Sequence, residues 1–113
     1  MRGCQQRPEE IGNTYAPVCR PEIMRILFAL AQKHKWAIRG FDIRNAYVRA
    51  PIDKPTFISP PSGYHRPGQC LELHRALYGL AASGRLWYKT FDRYMHTIDF
   101  KPSTVDPLSL IHI

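Results

Sequence analysis

One carboxylate in this sequence directly follows an apolar run and precedes an aromatic residue by five positions. Asp42 comes after Trp36, Ile38 and Phe41, and Tyr47 is the aromatic residue. The apolar residues predict a short buried strand, which would present Asp42 at the edge of a sheet. A carboxylate in that position is a suitable ligand for a divalent cation. On chemistry alone a turn cap is the commoner role, because Asp side chains hydrogen-bond to the backbone of a following turn.

A basic row is the second feature that bears on chemistry. Arg85, Lys89 and Arg93 are spaced four residues apart on a helix predicted from Ser83 to about Ile98. Residues at this spacing share one helix face, which either faces solvent or contacts a phosphate backbone. An apolar stripe on the same helix predicts its core-facing side, with the members Trp87, Phe91, Tyr94, Met95 and Ile98.

The composition is that of a folded, basic protein. The 113 residues are 44% hydrophobic and 12% aromatic, and their formal net charge is +7. The pI is about 9.7. A chain of this length forms one domain at most, with a modest core. Its dispersed positive charge suits a polyanionic partner, of which nucleic acid is the first candidate.

The sequence predicts an intracellular protein that is neither secreted nor inserted in a membrane. Its first residues lack the apolar stretch of a secretion signal, and no apolar run approaches the roughly 18 residues of a membrane span. Cys4, Cys19 and Cys70 have no metal-site spacing, which fits free thiols in a reducing compartment.

The expected fold class is α+β, with two helices packed on a small antiparallel sheet. Pro21 suits the first position of a helix, and apolar residues recur on one face up to Leu30, so a helix is predicted over Pro21–Lys35. Its apolar face, which includes Ile26 and Leu27, is assigned to the core. The sheet is expected to contain Trp36–Asp42 and Cys70–His74. Shorter elements are predicted as a helical turn at Asn45–Val48, a brief strand at Thr56–Ser59, a bend at Ala76–Leu80 around Gly79, and a strand-like end at Leu108–Ile113.

Seven short sequence blocks form a combined family signature. No single block is distinctive, but their order and spacing together are. The blocks are Thr14–Val18, Ile26–Ala31, Phe41–Tyr47, Pro60–Tyr64, Ala76–Leu80, Arg85–Tyr88 and Asp106–Pro107. Together they resemble the reverse transcriptase of Ty1/copia-type retrotransposons. The resemblance implies a partial right-hand polymerase, comprising fingers and the first part of the palm. It assigns 13–113 to a partial reverse transcriptase domain that follows a polar arm at 1–12.

The resemblance also implies roles for individual residues. Asp42 corresponds to the first catalytic aspartate of the palm, which binds Mg²⁺ in the complete enzyme. Tyr47 corresponds to the aromatic residue whose ring lies under the nucleotide sugar and crowds a 2′-hydroxyl. The implied nucleotide-binding residues are Ile43, Arg44, Asn45, Ala46, Tyr47 and Gly79. The implied partners are an RNA template, a DNA primer, deoxynucleotides and the rest of a polyprotein, and we expect Arg85, Lys89 and Arg93 to contact the nucleic acid.

Two departures from the family pattern limit the expected activity. Ala81–Gly84 stands where the family usually has Lys-Gln-Ala-Pro, and the Tyr-x-Asp-Asp element with the other two catalytic carboxylates does not occur in these 113 residues. Because a two-metal site needs several carboxylates, we expect a polymerase fragment that is inactive alone. Two alternatives stay open: a small basic nucleic-acid-binding module, and a non-functional remnant of a decayed element.

Overall fold

The computed structural model describes residues 12–64, 68–104 and 110–112. Within these ranges the chain forms three helices and four short strands. In chain order they are α1 (Pro21–His34), α2 (Ala46–Arg49), β1 (Phe57–Ile58), β2 (Leu71–Glu72), α3 (Ser83–Thr97), β3 (Phe100–Pro102) and β4 (Leu110–His112). This mixture of helices and small antiparallel sheets confirms the α+β class. The predicted polar arm lies outside the described residues, apart from Gly12.

The chain divides into two compact units. The first unit contains Met1–Tyr15 and Asn45–Thr90, and the second contains Ala16–Arg44 and Phe91–Ile113. The first unit therefore holds α2, β1 and β2, whereas α1, β3 and β4 belong to the second. The boundary between the units falls within α3, after Thr90.

Helix α1 lies where the sequence predicts it. Pro21 is in the first turn with Glu22, and the basic residues Lys33 and His34 are in the last turn. This arrangement suits the helix dipole. Lys35 then adopts a left-handed conformation with φ of 54°, and the N–H of the next residue, Trp36, donates to the Ala31 carbonyl oxygen at 2.8 Å. The left-handed residue ends the helix in the usual way.

The assignment of the α1 apolar face to the core is wrong. Ile26 and Leu27 are exposed, as are Phe28 and Leu30, whereas Ala31 is buried. Periodic spacing identifies which face of a helix is apolar, but it does not supply a layer to cover that face. In the described part of the chain, α1 keeps most of this face in contact with solvent.

The predicted strand over Trp36–Asp42 is also wrong. The segment has no regular secondary structure, and no residue of it pairs with another strand in the described ranges. Trp36 instead stacks on His34, with 5.0 Å between ring centroids, and both Trp36 and Phe41 are exposed. A strand needs a neighbour for its backbone N–H and C=O groups, and an alternating pattern alone cannot provide one.

The two sheets each contain two antiparallel strands. β1 pairs with β2 through Phe57 opposite Glu72 and Ile58 opposite Leu71. β1 confirms the strand predicted within Thr56–Ser59. β2 lies within the strand predicted over Cys70–His74 but is shorter than predicted. β3 pairs with β4 with Lys101 opposite Ile111, so the predicted strand near the end of the sequence is confirmed for the described residues 110–112.

The pairing of β1 and β2 extends into a longer ribbon in the first unit. The Leu73 N–H donates to the Thr56 carbonyl at 2.8 Å, and the Ile52 N–H donates to the His74 carbonyl at 3.3 Å. Leu73 and His74 are adjacent, but three residues, 53–55, separate Ile52 from Thr56. The ribbon therefore bulges at 53–55, and a bulge redirects side chains out of the ladder.

A small core sits where this ribbon meets α3. Ala50 and Ala76 are fully buried, and Leu86 on α3 packs with them. The Ala76 N–H donates to the Ala50 carbonyl at 2.9 Å, which joins the two alanines through the backbone as well. The half-buried side chains that pack against this cluster are Tyr47, Ile52, Ala82 and Trp87.

The core-facing stripe predicted for α3 is only partly correct. Met95 is buried, and Trp87 and Phe91 are half-buried. Tyr94 and Ile98 are exposed, so their assignment to the core is wrong. The exposed positions lie in the C-terminal part of the stripe, beyond the residues that meet the alanine cluster.

Candidate functional site

Helix α2 places Tyr47 against the core of the first unit. Asn45 precedes the helix in a left-handed conformation with φ of 54°, a geometry that asparagine tolerates better than most residues. The Ala50 N–H donates to the Tyr47 carbonyl at 2.9 Å, and Arg75 donates from Nη1 to the Arg49 carbonyl at 3.1 Å. The single turn is thus fastened to the ribbon, which fixes the backbone from which the Tyr47 side chain projects. The helical turn predicted at Asn45–Val48 is confirmed.

A tight turn carries the second aromatic side chain of this region. The Leu80 N–H donates to the Leu77 carbonyl at 3.3 Å, and Gly79 has a φ of 93°. A positive φ at the third position of a turn favours glycine, because any Cβ there is strained. Ser83 donates from Oγ to the same Leu77 carbonyl at 2.6 Å, and Ser83 is only 1% exposed. The bend predicted around Gly79 is therefore confirmed, and it is anchored by a buried hydroxyl.

Tyr47 and Tyr78 form an aromatic pair. Their ring centroids are 4.6 Å apart, and the ring planes are inclined by 48°. Tyr78 is 61% exposed, whereas Tyr47 is half-buried against the core. The pair therefore presents aromatic surface to solvent from a rigid base. The sequence assigned a role to Tyr47 but predicted no contact between the two rings.

Arg85 and Asp53 form an ion pair beside this region. The Arg85 Nη2 lies 2.7 Å from the Asp53 Oδ2, with the arginine side chain 13% exposed and the aspartate 43% exposed. Partial burial by itself would raise the pKa of Asp53. The hydrogen bond and charge of Arg85, helped by Lys89, outweigh burial and hold that pKa below its ordinary value of 3.8.

The predicted basic row therefore contains two kinds of side chain. The Arg85 guanidinium is paired with a carboxylate and is largely buried, whereas Lys89 and Arg93 are exposed. A contact between Arg85 and a phosphate would have to compete with Asp53. The spacing of the row gave no sign of this pairing, because Asp53 lies 32 residues earlier in the sequence.

The remaining predicted residues are divided between the two units. Asn45, Ala46, Tyr47 and Gly79 belong to the first unit, and Asp42, Ile43 and Arg44 to the second. Asp42 and Arg44 are exposed, and Ile43 is half-buried. The structure thus brings Tyr47 together with the turn that contains Gly79, through Tyr78.

Asp42 is the metal ligand that the family resemblance implies. Among the described residues, no three His, Cys, Asp or Glu side chains come together in an arrangement that would hold a metal ion. A single carboxylate does not fit a two-ion site, which needs several anionic ligands. None of the helices described in the structure has the length and apolar character needed to cross a membrane.

Comparison with known proteins identifies the family. The model of the family described as "Reverse transcriptase (RNA-dependent DNA polymerase)" matches residues 1–108. The chain belongs to this reverse transcriptase family. The match spans both units, including Asp42, the aromatic pair and the Arg85–Asp53 ion pair.

Curated relatives of this reverse transcriptase segment are polyproteins of transposons. The chain is 33% identical over 109 residues to the retrovirus-related Pol polyprotein from transposon RE1 of Arabidopsis thaliana, and the match covers 93% of the chain and 7% of that protein. It is 31% identical to the corresponding polyprotein from transposon RE2, with 93% and 8% covered. The truncated transposon Ty1-A Gag-Pol polyprotein of Saccharomyces cerevisiae is 34% identical over 67 residues, which cover 59% of the chain and 6% of that protein.

These matches confirm the prediction of a Ty1/copia-type reverse transcriptase fragment. The chain spans less than a tenth of the length of these curated relatives. No solved structure matches it. The family is therefore established from sequence, whereas the roles of single residues stay predictions that the geometry supports to different degrees.

Proposed function

We propose that this chain is part of the RNA-directed DNA polymerase of a copia-type retrotransposon and supplies a surface that contacts the incoming deoxynucleotide. The observation that carries this proposal is the contact between Tyr47 and Tyr78. Within this pair, Tyr47 is the residue that the family resemblance assigns to the nucleotide sugar.

The surroundings of Tyr47 support a role in recognition. Its ring packs against the cluster of Ala50, Ala76 and Leu86 and also contacts Tyr78. A ring fixed in this way can oppose a sugar at a constant distance, which is what discrimination between a hydrogen and a hydroxyl requires. A freely rotating aromatic side chain would yield to the larger substituent.

The catalytic part of the proposal rests on Asp42. An exposed carboxylate is open to a divalent cation such as Mg²⁺, for which oxygen ligands are preferred. The other carboxylates of a two-ion site would have to come from outside this chain. We therefore propose that the chain forms part of the fingers and palm of a longer polymerase and does not extend a primer by itself.

Contacts to the template and primer are proposed through phosphates. Lys89 and Arg93 are exposed on α3, one helical turn apart, and each is able to meet a phosphate oxygen. Such contacts position a nucleic acid without reading its sequence. Arg85 joins them only when a phosphate displaces Asp53.

Photochemical cross-linking with 5-iodo-2′-deoxyuridine triphosphate tests the nucleotide surface. Under ultraviolet light this analogue joins aromatic side chains that lie beside its base. Trypsin would separate Tyr47 into the peptide 45–49 and Tyr78 into the peptide 76–85, while the exposed control Tyr94 follows the cleavage site at Arg93. We expect the strongest cross-link in the peptide 76–85, because Tyr78 is the exposed ring of the pair and Tyr47 is assigned to the sugar rather than the base. Excess dATP should reduce this cross-link.

Two cross-linking results would contradict the proposed nucleotide surface. Labelling of the Tyr94 peptide at the same level as the Tyr78 peptide would mean that exposed rings react without a site. Labelling that dATP does not reduce would contradict the proposed function in the same way.

A further inference from the structure

Tyr78 has a fixed backbone and an exposed ring. It occupies the second position of the turn that Leu77 and Leu80 close, next to Gly79 with its positive φ. The hydrogen bond from the buried Ser83 hydroxyl holds the Leu77 carbonyl at the start of the same turn. An exposed aromatic side chain on such a rigid turn is not explained by packing, because most of its surface remains in water.

The part of Tyr78 that is covered contacts Tyr47. The centroid distance of 4.6 Å and the inclination of 48° lie within the range of favourable tilted aromatic pairs. Tyr47 thereby has a neighbour in addition to the alanine and leucine side chains of the core. A half-buried ring without that neighbour would have more than one staggered side-chain orientation open to it.

We propose that Tyr78 is a positioning residue for sugar discrimination: it holds the Tyr47 ring in the orientation that crowds a ribose 2′-hydroxyl. This inference rests on the proposed function, since it presumes that Tyr47 meets the nucleotide sugar. Tyr78 acts through Tyr47 and makes no contact of its own that distinguishes the two sugars. Its removal therefore changes the selectivity between nucleotides more than the affinity for the preferred one.

The test compares dATP with ATP, which differ only in the 2′-hydroxyl. The ratio of the ATP to the dATP dissociation constant is measured by titration for the wild-type chain and for Tyr78→Ala, Tyr78→Phe and Tyr94→Ala. We expect Tyr78→Ala to lower the ratio by about two- to tenfold, the factor that corresponds to an aromatic pair. Tyr78→Phe keeps the ring and should keep the ratio, as should Tyr94→Ala, whose 59% exposure matches that of Tyr78.

Different results of this titration would contradict the positioning role of Tyr78 or the proposed function. An unchanged ratio in Tyr78→Ala, or an equal loss of affinity for both nucleotides, overturns the positioning role while leaving the proposed function in place. A wild-type chain that binds dATP without discrimination does the same. Failure of the wild-type chain to bind either nucleotide overturns the proposed function, and the positioning role with it.

Discussion

The Nη2 of Arg85 donates a hydrogen bond to the Oδ2 of Asp53 at 2.7 Å, which joins the first turn of α3 to the bulge in the ribbon. The bulge exists because three residues separate Ile52 from Thr56 opposite the adjacent Leu73 and His74. The Arg85 Nε is buried and has no hydrogen-bond partner among the described residues, a cost that offsets part of the gain from the ion pair. We therefore expect the pair to fix geometry more than it adds stability.

Asp53→Asn should lower the free energy of unfolding at neutral pH by about 1 kcal/mol or less, because Asp53 is 43% exposed and water screens the pair. The fold lowers the pKa of Asp53, so its contribution is fully present above the ordinary value of 3.8 and is lost as pH falls through the lower folded value. Urea unfolding of wild type and variant at pH 7 and at successive pH values below 3.8 measures this loss.

Asp99→Asn is the matched control, because Asp99 is exposed and asparagine tolerates its positive φ of 62°. If the free energy of unfolding of Asp53→Asn is as far below that of the wild type in acid as at neutral pH, the charge of Asp53 does not cause the loss of stability.

Leu86→Ala should destabilise the chain by about 2 to 5 kcal/mol, because Leu86 is 6% exposed and its loss leaves a cavity beside Ala50 and Ala76. Leu27→Ala makes the same chemical change on α1, where Leu27 is 42% exposed, and should cost less than about 1 kcal/mol. Denaturant unfolding of the two variants provides the comparison. Equal losses would show that α1 carries a covered core face after all.

The two leucines also show how far the sequence determines the fold. Apolar periodicity located α1 and α3 to within one residue at each end, since the helix period and the end signals are local properties. Burial is not local. Leu86 meets a ribbon that is distant in sequence, and Leu27 has the same spacing pattern with nothing described to cover it. The failed strand at Trp36–Asp42 has the same origin, because pairing depends on a second strand that a one-dimensional pattern does not reveal.

Single-stranded RNA should bind with a salt dependence that reports the phosphate contacts. With Lys89 and Arg93 engaged, the slope of log affinity against log salt should be about −1.4, from roughly −0.7 per charge on a single strand. Lys89→Ala should reduce the magnitude of the slope by about 0.7, and Asp53→Asn should increase it because Arg85 is released. Binding titrations at several salt concentrations measure these slopes.

Lys33→Ala is the control for loss of a charge elsewhere, since Lys33 is an exposed residue at the end of α1. If Lys89→Ala and Lys33→Ala change the slope equally, the RNA is attracted by the overall positive charge of the protein. The basic residues of α3 then have no specific role in binding the phosphates.

Asp42 should attract a divalent cation weakly. Mn²⁺ substitutes for Mg²⁺ at oxygen sites and broadens the NMR signals of nearby nuclei, so the amides of residues 41–44 should broaden on titration. Asp42→Asn should abolish this local effect, whereas Asp99→Asn should leave it intact. Broadening at 41–44 that survives in Asp42→Asn would remove the basis for assigning a metal to this carboxylate.

Only the parts of the candidate site that depend on residues close together in the sequence were predictable. The sequence singled out Tyr47 and Asp42 through a compact family motif, and their roles stay predictions. It placed Gly79 in a tight turn, which the structure confirms. It did not identify the partner of Arg85 or the ring that contacts Tyr47. Both are long-range contacts, and only the folded ribbon brings those side chains together.

The most direct test of the nucleotide-binding proposal is an NMR titration of the wild-type chain with dATP, in which the Tyr47 ring signals are compared with those of Tyr94. Inorganic triphosphate is the matched ligand, because it carries the same phosphates without a sugar or base. We predict that dATP shifts the Tyr47 signals and that triphosphate does not, while the Tyr94 signals stay constant with both. Tyr47 signals that do not move with dATP, or that move equally with triphosphate, would contradict the assignment of this ring to a nucleotide.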